Sequence, residues 1–498
     1  GQSRPRQWPL ASHGAWVLSP LGTRIRNQSL RSFPTSVVYM SEDTRASQLL
    51  ERIPSEFTLG VATASWQIEG DSKGRGSSIW DDFAAVPGNI KDGTTADPAC
   101  DHVNRLTEDL DILGDLGVDA YRFSVSWPRV MPGHQAPSST GIDFYNRLID
   151  GLLERNIKPV LTAYHWDLPS ELEAKGGWLN KDIHNYFAEY VDLLAKNYGD
   201  RVDRWATFNE PWVSAYLGYA TKMHAPGLGV PAAGLESAYR LMAAHGTGMS
   251  VLRDHNVRSP GLVLNLTTVI AEDDGAKAAR DHIDSLQNHF WLDLLAGRGV
   301  SAELMARTQD ITDWSFVDQG ELANIAQPVD WLGINYYTPI RVSSQTIGAE
   351  PNAQGQDFSL YPGTPSGVKM ASRDPRTEMG WEIYAPAMTS TLLQTSERLP
   401  NVPLFITENG GAFDDKLVDG EIHDQGRVDY YLSHIAAALD AKDQGVDLRG
   451  YFAWSMMDNI EWAEGLEKRF GIYYVDPLNQ ERIAKDSAKL IQYLARNR

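Results

Sequence analysis

The chain has 498 residues and a formal charge of −20, an acidity that excludes a nucleic-acid partner, because phosphate binding needs a basic face. Hydrophobic residues make up 42 % and aromatics 10 %, with 15 Trp and 20 Tyr, which supplies a large core and an aromatic binding surface and excludes wholesale disorder. The single cysteine, Cys100, excludes an internal disulfide and any multi-cysteine metal cluster, and no apolar run reaches the roughly 18 residues of a membrane helix.

The first forty residues carry Arg4, Arg6, Arg24, Arg26 and Arg31 and no acid before Glu42. This break marks residues 1–52 as a poorly ordered N-terminal extension, with the acidic, globular composition starting near Met40. Its longest apolar stretch, 15–18, is too short for a secretory signal.

From residue 57 onward, short apolar runs alternate with helix-length amphipathic segments. The expected strands are 57–64, 120–127, 158–165, 204–209, 261–267, 331–336, 404–407 and 449–454. Helical patterns fall between them at 105–116, 144–155, 183–198, 235–254, 278–295 and 429–444. Eight strands with crossover helices predict one α/β domain over 53–498, a (β/α)8 TIM barrel with elaborated loops on its C-terminal face. An open doubly wound sheet fits less well, since Gly60 leads into Val61-Ala62-Thr63-Ala64 with no glycine-rich phosphate loop. The Pro-, Gly- and Ser-rich segment 345–378 is expected to be a long loop shaping the entrance.

The strand ends collect the polar and aromatic residues: Gln67, Glu69, Trp127, His165-Trp166, Asn209-Glu210, Tyr336-Tyr337, Glu408-Asn409 and Trp454. Two carboxylates stand out in Thr207-Phe208-Asn209-Glu210-Pro211 and Ile406-Thr407-Glu408-Asn409-Gly410. They end the fourth and seventh strands, nearly opposite in an eight-stranded ring. Hydrolysis of a glycosidic bond needs such a pair, one carboxyl protonating the leaving oxygen and the other attacking the anomeric carbon or activating water. Helix capping and oxygen-only metal ligation are the competing readings, and no His-Glu-x-x-His cluster accompanies the pair. The run 454–462 adds Trp454, Glu461 and Trp462, which suit the hydroxyls and apolar CH faces of a sugar.

Over residues 54–495 the chain resembles a family 1 glycoside hydrolase of the β-glucosidase type. The resemblance is carried by Trp66-Gln67-Ile68-Glu69-Gly70, Tyr121-Arg122-Phe123-Ser124, Tyr164-His165-Trp166-Asp167, the two glutamate motifs and the run 454–462. It implies Glu210 as acid/base, Glu408 as nucleophile, and a covalent glycosyl-enzyme with retained anomeric configuration. It also implies a sugar held by Gln67, His165, Asn209, Glu461 and Trp462 over a Trp454 floor, with Arg122, Asn335 and Tyr337 beside the nucleophile. Trp166 and Phe470 complete the expected substrate-binding set, and Trp381 resembles the family's aglycone platform.

Members that take phosphorylated glycosides resemble a pattern with Ser in place of Glu461, so Glu461 implies a neutral glycone, its charge repelling a 6-phosphate. Plant thioglucosidases carry Gln at the acid/base position, unlike Glu210. Leu466 stands where the family often has an aromatic and implies a looser glycone rim.

The expected activity is hydrolysis of terminal β-D-glucosyl residues from small-molecule β-glycosides such as cellobiose and aryl β-glucosides, in the context of cellulose degradation. No cofactor, metal, nucleic acid or membrane is expected, the expected location is cytoplasmic, and a homo-oligomer is left open. Transglycosylation with the same glutamates, a leaning toward galactosides or fucosides, and a sugar-binding barrel without catalysis are the alternatives.

Overall fold

A computed structural model describes residues 43–345 and 360–498. Eight strands, β1 (Thr58–Ala62), β2 (Ala120–Ser124), β3 (Lys158–Tyr164), β4 (Arg204–Asn209), β5 (Pro260–Asn265), β6 (Leu332–Asn335), β7 (Leu404–Asn409) and β8 (Leu448–Trp454), close into a parallel barrel. Each strand pairs with its neighbours in sequence, and β8 closes on β1 with Ala62 opposite Trp454. The (β/α)8 expectation is thus the observed fold.

Alternate strand residues fall in two separate apolar clusters, as a period of two requires. Ala62, Ala120, Val160, Ala206, Val263, Trp331, Phe405 and Phe452 pack together as the barrel interior, whereas Leu59, Val61, Tyr121, Leu161, Trp205, Leu262 and Tyr451 join the layer beneath the helices. Small residues offset the large rings: a Cβ at Gly60 would lie 2.5 Å from the Phe452 ring. Filling the interior in this way makes it a packed core and leaves the strand ends for chemistry.

Two strands break the regular register. β4 shifts against β5 between Ala206 and Asn209, and β7 shifts against β6 and β8 between Ile406 and the Glu408-Asn409 pair. Strict alternation from Phe405 would turn Asn409 inward and Glu408 outward. Instead Asn409 meets the Tyr430 and Tyr451 hydroxyls in the outer layer, and Glu408 faces Arg122 inside the barrel mouth. On β4, Thr207 bonds His245 of the helix Pro231–Asp254 and Phe208 packs on Phe187. With both turned outward, Asn209 is free to face in. A bulge re-aims side chains in this way by placing two successive residues on one side.

The expected extension 1–52 divides. Residues 1–42 lie outside the described residues, but Thr44–Arg52 is a helix rather than a poorly ordered tail. Asp43 caps it by accepting from Arg45 N, and Ala46 and Leu49 are buried. Arg52 reaches Asp440 and Asp443 on the helix Gln425–Asp443. A short amphipathic pattern with few apolar positions concealed this helix.

The expected loop 345–378 is also only partly a loop. Residues 346–359 lie outside the described residues, and Lys369–Ala371 pairs antiparallel with Ile340–Ser343, which in turn pairs with Val269–Ala271. Three residues are too few to show a period. The expected helix 278–295 is interrupted by a π-helical turn, Ser285–His289, and a second π segment, Val213–Ala220, follows β4. Such wide turns concentrate at functional sites, and here Leu217 and Gln287 from the two segments line the catalytic cavity. No described helix is long and apolar enough to cross a membrane.

Candidate active site

A cavity of about 430 Å³ opens at the C-terminal ends of the strands. Glu210, Glu408, His165, Trp166, Asn335, Tyr337, Trp381, Trp454, Glu461, Trp462 and Phe470 line it. Gln67, Asn209 and Arg122 are absent from that lining and fully buried around it.

One chain of hydrogen bonds joins the two glutamates. Tyr337 donates to Glu408 Oε2 at 2.6 Å and Arg122 Nη1 to Oε1 at 2.7 Å. Arg122 Nη2 donates to Asn209 Oδ1 at 2.5 Å. That oxygen also accepts from Asn335 Nδ2, which in turn donates to Glu210 Oε1 at 2.5 Å. Thr407 fixes the sense of the Asn335 amide by donating to its Oδ1 at 2.7 Å.

The two carboxyls therefore sit in unequal environments. Burial and the neighbouring Glu408 charge push Glu210 up to about 8, opposed mainly by the Asn335 amide. Burial also raises Glu408, but Arg122 and the Tyr337 hydroxyl favour its anion. Of the pair, Glu408 ionises first and Glu210 retains the proton, the split expected of a nucleophile and an acid.

His165 is held neutral, pushed well below the usual imidazole range by burial and by Arg122. Asn209 Nδ2 can only donate, so His165 Nε2 accepts at 3.1 Å and the ring proton resides on Nδ1. His165 Nδ1, Gln67 Oε1 and Glu461 Oε2 are buried without a partner. Gln67 spends its amide nitrogen on Asn459 Oδ1 and the Ile460 carbonyl, which ties it to the segment carrying Glu461. Burial and the nearby Glu408 hold Glu461 well above the usual carboxylate range. Buried polar atoms normally find partners, so this cluster of a donor and two acceptors marks where a polyhydroxylated molecule would bind.

Aromatic rings surround those atoms. Trp462 packs on Trp166 at 4.5 Å and on Trp80 at 4.6 Å between centroids, with Trp66 stacked at 5.8 Å. Trp454 lies near-parallel to His165. Tyr337, Trp381 and Phe470 form a second group with centroids 5.4 to 6.1 Å apart. Three wall residues, Trp166, Glu210 and Trp462, adopt left-handed backbone, with φ of 80°, 46° for Trp462 and 45° for Glu210. Each costs about 1–3 kcal/mol, which the surrounding packing offsets. At Gly410 a Cβ would fall 1.8 Å from the Trp454 carbonyl oxygen, so glycine is required for the loop after Glu408 to meet the end of β8.

Two features differ from the sequence expectation. Leu466 does not line this cavity; its N–H bonds Asp92 at 2.7 Å and it borders a neighbouring cavity of about 280 Å³. The outer wall also contains residues outside the expected set, among them Trp212, Leu217, Thr267, Gln287, Leu360 and Tyr361. Trp212 was within reach, two positions after Glu210. Tyr361, whose hydroxyl bonds Gln287 Oε1, lies in a segment with no periodic signal. Among the described residues no group of His, Cys, Asp or Glu is placed to hold a metal ion.

The model of the family described as glycosyl hydrolase family 1 matches residues 49–498. Beta-glucosidase A of Thermotoga maritima is 41% identical over 459 residues, covering 90% of this chain and 98% of that protein. A bifunctional beta-D-glucosidase/beta-D-fucosidase of Bifidobacterium breve is 42% identical over 447 residues, covering 87% and 96%. Among solved structures, a psychrophilic beta-glucosidase from Micrococcus antarcticus superposes with a TM-score of 0.85 at 39% identity, covering 90% of this chain and 98% of that one. The Thermotoga maritima beta-glucosidase in complex with deoxynojirimycin gives 0.81 at 40% identity, covering 88% and 97%.

Proposed function

The chain belongs to glycosyl hydrolase family 1, and on the geometry of its site we propose that it is a retaining β-glucosidase with Glu210 as acid/base and Glu408 as nucleophile. The carrying observation is the unequal support of the two carboxyls. Glu408 has a cation and a phenol on its two oxygens, while Glu210 has a neutral amide and is pushed up to about 8.

In the first step Glu210 gives its proton to the glycosidic oxygen as that C–O bond breaks, and Glu408 attacks the anomeric carbon to form a glycosyl ester. Esterification removes the charge of Glu408, which was one of the two causes raising Glu210. The Glu210 pKa then falls, and the same residue takes a proton from water as water opens the ester. Two inversions at one carbon return the original configuration.

The glycone binds at the three unpartnered atoms. His165 Nδ1–H donates to one hydroxyl, Gln67 Oε1 and Glu461 Oε2 accept from others, and Trp454 and Trp462 take the apolar CH face. Asn209 and Arg122 act from behind, holding the glutamates and His165 in place. Trp381 and Phe470, beside Tyr337, face the leaving group. The substrates are small β-glycosides such as cellobiose and aryl β-glucosides, and β-fucosides fit a pocket like that of the bifunctional relative. The buried free thiol of Cys100 suits a cytoplasmic location.

The test is to trap the intermediate with a 2-deoxy-2-fluoro-glucoside bearing a good leaving group and map the labelled peptide. Label on Glu408, with the β-anomer as first product by NMR, is the expected result. Label elsewhere, or an α-product, overturns the assignment.

A further inference from the structure

Beneath the glycone wall lies a cluster of charges that the reaction itself does not use. Lys485 is fully buried, and its ammonium contacts Asp415 Oδ2 at 2.6 Å and Asp458 Oδ1 at 2.7 Å. Asp415 lies in the segment that follows Glu408 at the end of β7, and Asp458 in the segment between Trp454 and Trp462 at the end of β8. Lys485 therefore joins the loops after two adjacent strands, one following the Glu408 nucleophile and the other bearing Glu461 and Trp462.

Each end is reinforced. Arg427, also fully buried, holds Asp415 at 2.8 Å and Asp424 at 2.5 Å, and donates to the carbonyl of Arg469. Arg469 holds the other oxygen of Asp458 at 2.7 Å, and the Gly471 N–H donates to Asp458 at 3.0 Å. Gly471 follows Phe470, a cavity residue, and Asp458 precedes Asn459 and Ile460, the two partners of Gln67. Three cations and three carboxylates thus balance, and the Asp458 and Arg469 contacts lie within three residues of the cavity residues Glu461 and Phe470.

Buried ion networks of this kind seldom add net stability over apolar packing, and their best-attested use is to specify one arrangement among several. We infer that Lys485 is a positioning residue for glycone recognition, bracing the loop after Glu408 against the loop that bears Glu461 and Trp462. The inference rests on the β-glucosidase reading, with Glu461 as a glycone contact. Lys485 touches no substrate. Loss of its ammonium leaves Asp415 and Asp458 facing each other as like charges, which pushes the two loops apart and moves Glu461 away from the outer hydroxyls of the sugar.

The test compares an aryl β-glucoside with the aryl β-xyloside of the same leaving group, which lacks the C6 hydroxymethyl. In folded Lys485→Met, checked by circular dichroism and Tm, kcat/KM on the glucoside is expected to fall about tenfold or more, mainly through KM, with the xyloside falling less than about threefold. Arg469→Met removes the second cation on Asp458 from a less enclosed position, and carries the same prediction at smaller size should Lys485→Met not fold. Equal loss on both substrates, or no loss, overturns the brace. A wild-type chain inactive on the glucoside instead sinks the β-glucosidase reading itself.

Discussion

Tyr337 donates its phenolic hydrogen to Glu408 Oε2 at 2.6 Å, while the other carboxylate oxygen is held by Arg122. The donor serves the anion and loses its purpose once Glu408 is esterified. Removing it in Tyr337→Phe raises the Glu408 pKa, because a hydrogen bond to the charged form is lost. The acidic limb of the kcat/KM–pH profile is expected to move to higher pH, with an activity loss on the order of 10²-fold. A profile that keeps its acidic limb would place the phenol outside the nucleophile's environment.

Glu408→Gly should abolish turnover, since no other described carboxylate sits against Arg122 and Tyr337. Added azide or formate, occupying the vacated space, is expected to restore product formation with inverted configuration. NMR of the product decides it, and a folded variant that no small anion rescues would remove Glu408 from the nucleophile role.

Glu210→Ala is expected to spare glycosides whose leaving groups need no protonation, while poor leaving groups lose on the order of 10²–10⁴-fold. In the wild type, activity should fall as pH rises through about 8, where Glu210 loses its proton. That alkaline limb is expected to disappear in the variant on activated substrates. Uniform loss across leaving groups, measured by kcat, counts against the acid role.

Glu210 also has a stability signature. Its folded pKa lies above the unfolded value, so its protonated form stabilises the fold fully below about pH 4.5, and that contribution is lost as pH rises through about 8. Glu210→Gln keeps the shape and cannot ionise. It should therefore be more stable than the wild type at pH 9, by several kcal/mol, and nearly equal at pH 4. Thermal unfolding at the two pH values measures this, and a variant with no alkaline advantage would show that Glu210 is ionised freely in the fold.

The barrel was legible because its strands are short apolar runs bounded by helical periods; Arg204–Asn209 and Ile183–Tyr198 match the expected limits. The helix Thr44–Arg52 is not legible in the sequence because only Ala46 and Leu49 supply its buried face. The strand Lys369–Ala371 is not legible either, because three residues that depend on a partner strand have no period of their own. Leu466 lies away from its expected place for a related reason. Its closeness in sequence to Glu461 suggested a shared cavity, whereas the chain turns at Gly465, with φ of 72°, and Asp92 anchors Leu466 away from the sugar side.

By itself the sequence determined that Glu210 and Glu408 end the fourth and seventh strands of one barrel, among amides and indoles suited to a sugar. Which way those side chains face was decided only in the tertiary structure. Alternation along β7 would have buried Glu408 beneath the helices and turned Asn409 into the cavity. The register shift against β6 and β8 reverses the two, and a matching shift on β4 turns Asn209 inward. The physical reason is that a bulge exists only in the pairing of two strands, so a single strand's pattern cannot reveal it. The unequal environments of the two carboxyls come from Arg122 and Tyr337 on other strands and loops, and Lys485 braces the site from the far end of the chain.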